Sequence, residues 1–287
     1  MFRNICILVV VCVLGATGLI ITKICANSSD VPSAEFLAQA LLNQEQSCGQ
    51  ALDITYTLRV VGDPVEAIRK CRYIRTPLIL FLEKDSQSYN RRIDLQRNSG
   101  ESRQLATNKA DSKMQGLIDG KFASALGNRE FPDVVRFPLD GGTPQDLVRR
   151  GKVDATRQDV GGQSCWLVET PGTQIPGEVY RLWLDPAIGF CPRRIEILRS
   201  DVTPQTIEFL EYKALGNGVW LPMEIRNKYQ SSSPLAKAGE NGSSVEVVMR
   251  VSRASVDQTI PDSELRVDFP SGTSVSDRIT NTKYVKP

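Results

Sequence analysis

The sequence predicts a mainly β protein in which one large antiparallel sheet carries a few short helices. Short runs of alternating or apolar residues recur along most of the chain, and Gly, Pro, Asn and Asp separate them. Helical periodicity is confined to brief segments. The sequence lacks the regular alternation of strand and helix that is typical of parallel α/β sheets, so an antiparallel sheet is favoured.

Residues 1–26 are predicted to be an export signal or an N-terminal membrane anchor. Arg3 precedes an apolar run over residues 5–21, and cleavage could follow residues 16–18, near the end of this run, or residues 24–26. The run is at the short end of what spans a membrane, so an uncleaved anchor in the inner membrane is the alternative to cleavage. Residues 27–287 are then expected to form a single domain that is periplasmic or secreted.

The composition excludes several classes of function. The 287 residues include no histidine, which excludes Ser-His-Asp and Cys-His catalysis and histidine-liganded zinc or haem. Residues 1–26 hold two of the 35 basic residues and no acidic one, so the remainder has 33 residues of each sign. This balance does not predict nucleic-acid binding. The sequence has no phosphate-loop or nucleophile-elbow motif, and we predict no catalytic residue, metal or cofactor.

The first half is predicted to start with a helix and continue as a meander of strands. Ser33, a typical N-cap, begins a short segment whose apolar residues recur at helical spacing. Residues 53–61 then alternate between apolar and polar side chains, as expected of a half-buried strand. Further strands are predicted at residues 70–74, 78–84 and 89–97.

Helical signals return in the middle of the chain before strands dominate again. Apolar residues recur at three- and four-residue steps from Met114 to Ala125, and Gly127 is a suitable end for this helix. Thr143 and Pro144 begin another short helix. Strands are then predicted at residues 153–160, 164–170, 178–185, 190–198, 206–214, 219–229, 245–255 and 265–269.

Two of these strands, residues 178–185 and 219–229, carry apolar residues on both faces. A sheet with one face in water would alternate more regularly. Two interpretations stay open. The sheet curls with one face around a cavity or helix and the other partly covered, or it packs ordinarily and leaves a few aromatic residues on the surface.

Four cysteines remain once residues 1–26 are set aside, and they predict two disulfides. An even number of cysteines in an exported chain is typical of paired thiols. Three pairings are open, and we favour the two local ones, Cys48 with Cys71 and Cys165 with Cys191. The alternative is four free buried thiols.

Carboxylates that could act as a glycosidase-like acid pair are Glu196 and Glu224, which fall on different predicted strands. The favoured interpretation is that they are surface charges paired with Arg193, Arg194 and Arg226. The sequence therefore predicts a protein that is not an enzyme.

The carboxy-terminal half carries motifs of a known group. VYRLWLDP at residues 179–186, followed by GFCPRRIE at residues 189–196, resembles the W-x-D-P and G-x-x-P-x-R-x-E hairpin of bacterial LolA-like proteins. These are relatives of the outer-membrane lipoprotein carrier. GVWLP at residues 218–222 is similar to a later strand opening of the group. VDFPSGT at residues 267–273, with Val275 and Asp277, resembles the ending of uncharacterised envelope proteins that share this architecture. The resemblance covers residues 150–287 and extends to the first half by layout alone.

The resemblance implies a half-open β-barrel, an incomplete antiparallel barrel that helices close over an apolar cavity. In carriers of this group the cavity holds the acyl chains of a lipoprotein, whereas sensor relatives detect envelope stress and regulate an anti-sigma factor. We therefore predict a non-enzymatic envelope protein that binds a lipid or acyl chain in this cavity. The alternative is a sensor or interaction module that binds a protein partner through an outer face or through the polar loop at residues 231–244.

The residues predicted to line the cavity or the core lie on four strands of this half. The predicted partners are a lipid, a lipidated protein or another protein, and no nucleic acid. Membrane contact is expected only through the N-terminal segment, if it is uncleaved. The candidate cavity residues are Leu182, Leu184, Ile195, Phe209, Leu221, Met223 and Ile225.

Overall fold

A computed structural model describes residues 30–61, 68–120, 132–137, 139–140, 142–200, 202–230 and 244–287. In this part of the chain, one sheet of 15 strands carries three α-helices. The helices are α1 (Ala34–Gln46), α2 (Pro144–Arg150) and α3 (Asp262–Leu265). The strands are β1 (Leu52–Val61), β2 (Arg69–Arg75), β3 (Ile79–Asp85), β4 (Tyr89–Gln96), β5 (Ser102–Asn108), β6 (Met114–Asp119), β7 (Lys152–Val160), β8 (Gln163–Pro171), β9 (Val179–Asp185), β10 (Cys191–Arg199), β11 (Val202–Gly216), β12 (Val219–Gln230), β13 (Ser244–Val256), β14 (Ser274–Asp277) and β15 (Thr282–Val285).

The sheet consists of two meanders that meet at its centre. β1 to β6 follow one another on one side, β13 to β7 follow in reverse order on the other, and β1 pairs with β13. These neighbours are antiparallel, while β14 pairs in parallel with β6. β7 and β15 lie at opposite edges of the sheet, which is not closed into a barrel. The predicted fold class, a large antiparallel sheet left open as an incomplete barrel, is confirmed.

Helices α1 and α2 pack against each other on one face of the sheet, named here the inner face. α1 begins after Ser33 as predicted, because the Ser33 hydroxyl accepts a hydrogen bond from the backbone N–H of Phe36 at 3.1 Å. At the start of α2, Thr143 and Asp146 form a capping box. These caps satisfy backbone donors that would otherwise be left without partners at the helix ends.

The opposite face is covered near β2 and β3. There Ile74 and Phe81 pack with Leu265 of α3 and with Val267, and all four side chains are buried. The buried carboxylate of Asp94 accepts a hydrogen bond from the backbone N–H of Val267 at 2.6 Å, which fixes the covering segment. Apolar residues on both faces of β2 and β3 therefore reflect the inner-face core on one side and this shorter cover on the other. The cover does not reach residues 178–185 or 219–229, for which both interpretations stay open.

The helix predicted from Met114 to Ala125 is wrong where the structure describes it. Residues 114–119 form β6, which pairs with β5 and β14, and residues 121–131 lie outside the described part. The strand predicted at residues 265–269 is also wrong, since Leu265 ends α3 and the next residues have no regular structure. In both places, pairing and packing with distant segments outweigh the local periodicity.

Gly116 of β6 is expected to tolerate no side chain. A Cβ atom at this position would lie 2.9 Å from the Phe269 ring and 3.0 Å from Val275. Replacing Gly116 by Ala should therefore lower the free energy of unfolding by about 1–3 kcal/mol, the usual cost of overpacking. Urea denaturation would measure this loss. Gly120→Ala is the matched control, because its Cβ would meet Ile279 at an ordinary 3.6 Å; an equal loss in both variants would contradict the packing explanation.

Candidate ligand-binding face

The seven candidate cavity residues lie together on the inner face. The strand register places Leu182 opposite Ile195 and Phe209 opposite Ile225. Six of the seven have at most 1% of their surface exposed, and the seventh, Met223, is partly buried against the same apolar cluster. The structure thus brings together residues that the sequence places on four separate strands.

Other side chains of the described part pack directly on these candidates. The ring of Phe137 meets that of Phe209 edge to face, with centroids 5.8 Å apart. Leu41 of α1 and Leu147 of α2 belong to the same buried cluster. A cavity beside Leu221 has a volume of about 10 Å³, which is room for roughly one water molecule. This part of the inner face is therefore a packed core.

A buried ion-pair cluster lies next to this core. The guanidinium of Arg75 donates through Nε to the Asp133 carboxylate at 2.6 Å, and the hydroxyl of Tyr73 donates to the same oxygen at 3.0 Å. The side chains of Arg75 and Asp133 are 4% and 2% exposed. Burial, followed by the charge of Asp133, raises the pKa of Tyr73 well above its usual value. The phenol therefore stays protonated as a donor to Asp133.

Glu45 connects this cluster to the end of α1. Its Oε1 atom accepts hydrogen bonds from Arg97, at 3.1 Å, and from Arg136. The adjacent Gln44 donates to the carbonyl of Gly218 at 2.8 Å and accepts from the backbone N–H of Trp220 at 3.0 Å. Polar contacts on two sides thus hold the carboxyl-terminal end of α1 against the sheet. These residues are far apart in the chain, and no motif in the sequence indicates their contacts.

An open cleft lies at the other end of α1. It has a volume of about 290 Å³, and most of its walls are apolar and aromatic. Phe36 and Phe190 meet edge to face with centroids 5.5 Å apart, and the guanidinium of Arg157 lies 4.9 Å from the centre of the Trp166 ring. We name this site the aromatic cleft; its lining residues are Asp30, Val31, Pro32, Phe36, Arg157, Trp166 and Phe190.

The aromatic cleft is exposed on one side and continuous with the core on the other. Val31 and Phe36 are 44% and 43% exposed, so this side of the cleft is open to solvent. Trp166 is the cross-strand neighbour of Leu184, one of the candidate cavity residues. The cleft therefore gives solvent access to the edge of the apolar core. Sequence reasoning missed it, because its residues come from α1, β7, β8 and the turn before β10.

Phe190 has a strained backbone at this cleft. Its φ angle is +63°, in the left-handed region that costs an L-residue roughly 1–2 kcal/mol. Its N–H donates to the carbonyl of Asp185 at 2.8 Å, which helps to hold the turn. A glycine would adopt this conformation without strain. The turn therefore keeps a bulky ring at a position where its backbone is unfavourable.

The predicted disulfides are not formed, and Cys48, Cys71, Cys165 and Cys191 are free buried thiols. Cys165 and Cys191 flank Asp185 of β9 from the neighbouring strands. Their Cα atoms are therefore separated by two strand spacings, roughly 9.5 Å, beyond the limit of about 7 Å for a disulfide.

Cys48 and Cys71, the other predicted pair, are also apart, because Cys48 lies beside the end of β2 and Cys71 lies nearer its start. The thiol of Cys48 accepts a hydrogen bond from Arg75 at 3.2 Å. Arg75 lies four residues beyond Cys71 on the same strand, a distance of roughly 13 Å between Cα atoms. The even cysteine count thus gave a wrong prediction, because it does not show how far apart the thiols lie in the sheet.

We expect these thiols to be unreactive in the folded protein. Burial is the main cause that raises the pKa of Cys48 to about 11 and that of Cys165 to about 12. Burial also raises the pKa of Cys191. Because the thiolate is the reactive form, iodoacetamide at pH 8 should modify the native protein far more slowly than the urea-unfolded protein. Intact mass spectrometry counts the groups that iodoacetamide adds to the native and to the unfolded protein. A gain in mass after treatment with a reductant, without iodoacetamide, would show that a disulfide is present.

The two candidate carboxylates do not form an acid pair. β11 separates Glu196 of β10 from Glu224 of β12, and their positions differ by four residues along the strands. Their Cα atoms are therefore roughly 16 Å apart, whereas paired glycosidase carboxyl groups lie within about 5–9.5 Å. Glu196 pairs with Arg194 at 3.2 Å and Glu224 with Arg226 at 2.6 Å, as the favoured interpretation expected. That interpretation is wrong in two details, since Glu224 is buried and Arg193 pairs with Asp185 at 2.9 Å.

No group of three or more Cys, Asp or Glu side chains in the described ranges is arranged to hold a metal ion. No helix among the same residues is long and apolar enough to cross a membrane.

Comparison with known proteins shows a likeness of fold. No protein-family model matches the chain, and no curated protein matches it in sequence. A solved DUF1329 family protein from Desulfovibrio piger has a TM-score of 0.53 and 11% identity, over 81% of this chain and 97% of that chain. A putative outer membrane lipoprotein-sorting protein domain from Vibrio parahaemolyticus has a TM-score of 0.45 and 12% identity, over 81% and 97%. LprF from Mycobacterium bovis has a TM-score of 0.30 and 11% identity, over 81% and 98%. The first of these matches supports the fold directly, and the resemblance predicted from the sequence is confirmed as a likeness of fold.

Proposed function

We propose that the protein is an exported, non-enzymatic protein of the cell envelope that binds a lipid or acyl chain on the inner face of its half-barrel. The aromatic cleft is the observation that carries this proposal. Its volume of about 290 Å³ is close to the lower limit of small-molecule sites, about 300 Å³. Its exposed apolar walls would be costly in water unless a ligand or partner covers them for part of the time.

In this proposal an acyl chain enters at the aromatic cleft and extends toward the core. Trp166 and Leu184 are adjacent across β8 and β9, so a chain bound in the cleft points toward the candidate cavity residues. Those residues pack against α1, and deeper binding requires α1 to separate from the sheet. The polar contacts of Gln44 and Glu45 hold the far end of α1. Beside the cleft, Glu35 of α1 pairs with Arg149 of α2 at 3.1 Å, and this exposed ion pair would have to break for α1 to separate there.

Lipid extraction tests this proposal directly. Protein purified from an envelope fraction without detergent should release lipid on organic extraction, and mass spectrometry should detect it at a stoichiometry approaching one. The delipidated protein should then bind a dansyl-labelled fatty acid. If it contains no lipid and binds no labelled fatty acid, the proposal is wrong. A stable envelope protein partner without lipid would support the sensor alternative instead.

A matched pair of surface variants locates the binding. Phe36 and Ile279 are both large apolar residues, 43% and 54% exposed, but only Phe36 lines the aromatic cleft. Phe36→Ser should weaken fatty-acid binding by about tenfold, since it removes roughly 1–2 kcal/mol of apolar contact. Ile279→Ser should leave binding unchanged. Equal losses in both variants would place the binding site elsewhere.

A further inference from the structure

We propose that the aromatic cleft selects acyl chains that carry an anionic head group, and that Arg157 binds this head group. The inference rests on the proposed function, because it requires that an acyl chain binds at the cleft. It adds the chemical class of the ligand and names the residue that sets it.

The charge of Arg157 is the first argument. Arg157 is the one basic residue of the cleft lining, and it forms no ion pair with a carboxylate in the described ranges. Its guanidinium lies over the Trp166 ring at 4.9 Å. Stacking on an aromatic ring orients a guanidinium and leaves its N–H donors available to an anion. Asp30 also lines the cleft and is exposed.

A second arginine of the protein shows the contrast. Arg194 also lies over a tryptophan, Trp183, at 5.7 Å. Its guanidinium forms an ion pair with Glu196 at 3.2 Å. Arg194 therefore has its anionic partner within the protein, whereas Arg157 presents its charge to a cleft with apolar walls. The anionic head group of a chain bound in that cleft would pair with Arg157 in the way that Glu196 pairs with Arg194.

The backbone of Phe190 is the second argument. This residue is strained at a φ angle of +63°, and its ring forms the cleft wall against Phe36 at 5.5 Å. A glycine would relieve the strain and remove the wall. The ring is therefore retained at a conformational cost, and strained residues that persist in this way cluster at ligand-binding sites. We assign Phe190 to contact with the apolar chain, next to the head-group contact of Arg157.

Three ligands with the same chain test the charge selection. Dodecanoate and dodecyl phosphate carry an anion, and dodecanol does not. Isothermal calorimetry with the delipidated protein, below the critical micelle concentration of each ligand, measures their Kd values. Both anionic ligands should bind about tenfold or more tightly than dodecanol, the size expected of a charge-assisted contact. The tighter of the two identifies a carboxylate or a phosphate head group.

Two arginine variants assign the selection to one residue. Arg157→Met should bring the anionic ligands to the affinity of dodecanol and leave dodecanol binding unchanged. Arg194→Met, the control with the same arginine–tryptophan contact outside the cleft, should keep the wild-type ratio. If the ratio survives in Arg157→Met, or is lost equally in Arg194→Met, the inference is overturned.

A glycine variant separates ligand contact from structural support. Phe190→Gly should weaken the binding of all three ligands by a similar factor, and the relief of backbone strain should offset part of the stability that is lost with the ring. A lower melting temperature with unchanged binding would overturn the role given to Phe190. If none of the three ligands binds the wild-type protein, the proposed function itself fails. If all three bind equally, lipid binding stands and only the charge selection is wrong.

Discussion

Replacing Arg75 by Met is expected to lower the free energy of unfolding by about 3–5 kcal/mol, because it leaves a buried charge without its partner. Asp133 is 2% exposed, and among the described residues it would keep the Tyr73 hydroxyl as a donor. The methionine fills much of the same volume, so the loss reports the missing charge and hydrogen bonds more than a cavity. Urea denaturation followed by circular dichroism measures the effect.

Two further variants make this result interpretable. Arg181 pairs with Glu169 at 2.8 Å, but the two side chains are 40% and 49% exposed, so Arg181→Met should cost less than about 1 kcal/mol. The double variant Arg75→Met with Asp133→Leu should recover part of the loss, since no buried carboxylate is then left alone. If Arg75→Met costs no more than Arg181→Met, the buried cluster does not stabilise the fold as described.

Replacing Phe209 by Ala is expected to cost about 3–5 kcal/mol, the usual range for a large aromatic residue in a packed core. Phe209 is fully buried, and its edge-to-face contact with Phe137 adds to the loss. The measurement is again equilibrium unfolding in urea. This variant tests whether the inner face near β11 is filled, as the structure shows it.

Phe36→Ala provides the comparison for this prediction. Phe36 is 43% exposed at the aromatic cleft, so its truncation should cost about 1 kcal/mol or less, because little apolar surface returns to water. A loss for Phe209→Ala that is no larger than for Phe36→Ala would mean that the side chains around Phe209 are loosely packed. In that case the space for a ligand would extend deeper than the cleft.

Strong local patterns in the sequence predicted the centre of the sheet well. The alternation of residues 53–61 and the apolar runs of the later strands match β1 and β7 to β13 closely. The prediction failed at the other edge, at β5, β6, β14 and β15. β6, β14 and β15 have only six, four and four residues, and β14 pairs with β6, which is distant in the chain. Local periodicity carries no information about such partners.

The candidate site was predicted in part for the same reason. Leu182, Leu184 and Ile195 could be proposed because alternation alone places them on one face of their strands. The aromatic cleft could not, because Phe36, Arg157 and Trp166 meet only after α1 has packed across the sheet. The contact between Glu45 and Arg136 joins residues 91 positions apart. A pattern read along the chain does not indicate contacts of this kind.

The pairing of β1 with β13 has a consequence for how the chain folds. The hydroxyl of Ser252 donates to the carbonyl of Thr55 at 3.1 Å across 197 positions of sequence. Bringing such distant segments together costs loop-closure entropy before any contact offsets it, and sheets dominated by such pairings fold slowly. Each meander can begin to form from local hairpins, but their central seam must wait until β13 has been synthesised. The newly made chain therefore exposes the unpaired edge of β1 for most of its synthesis, and a chaperone that covers this edge would raise the yield of folded protein.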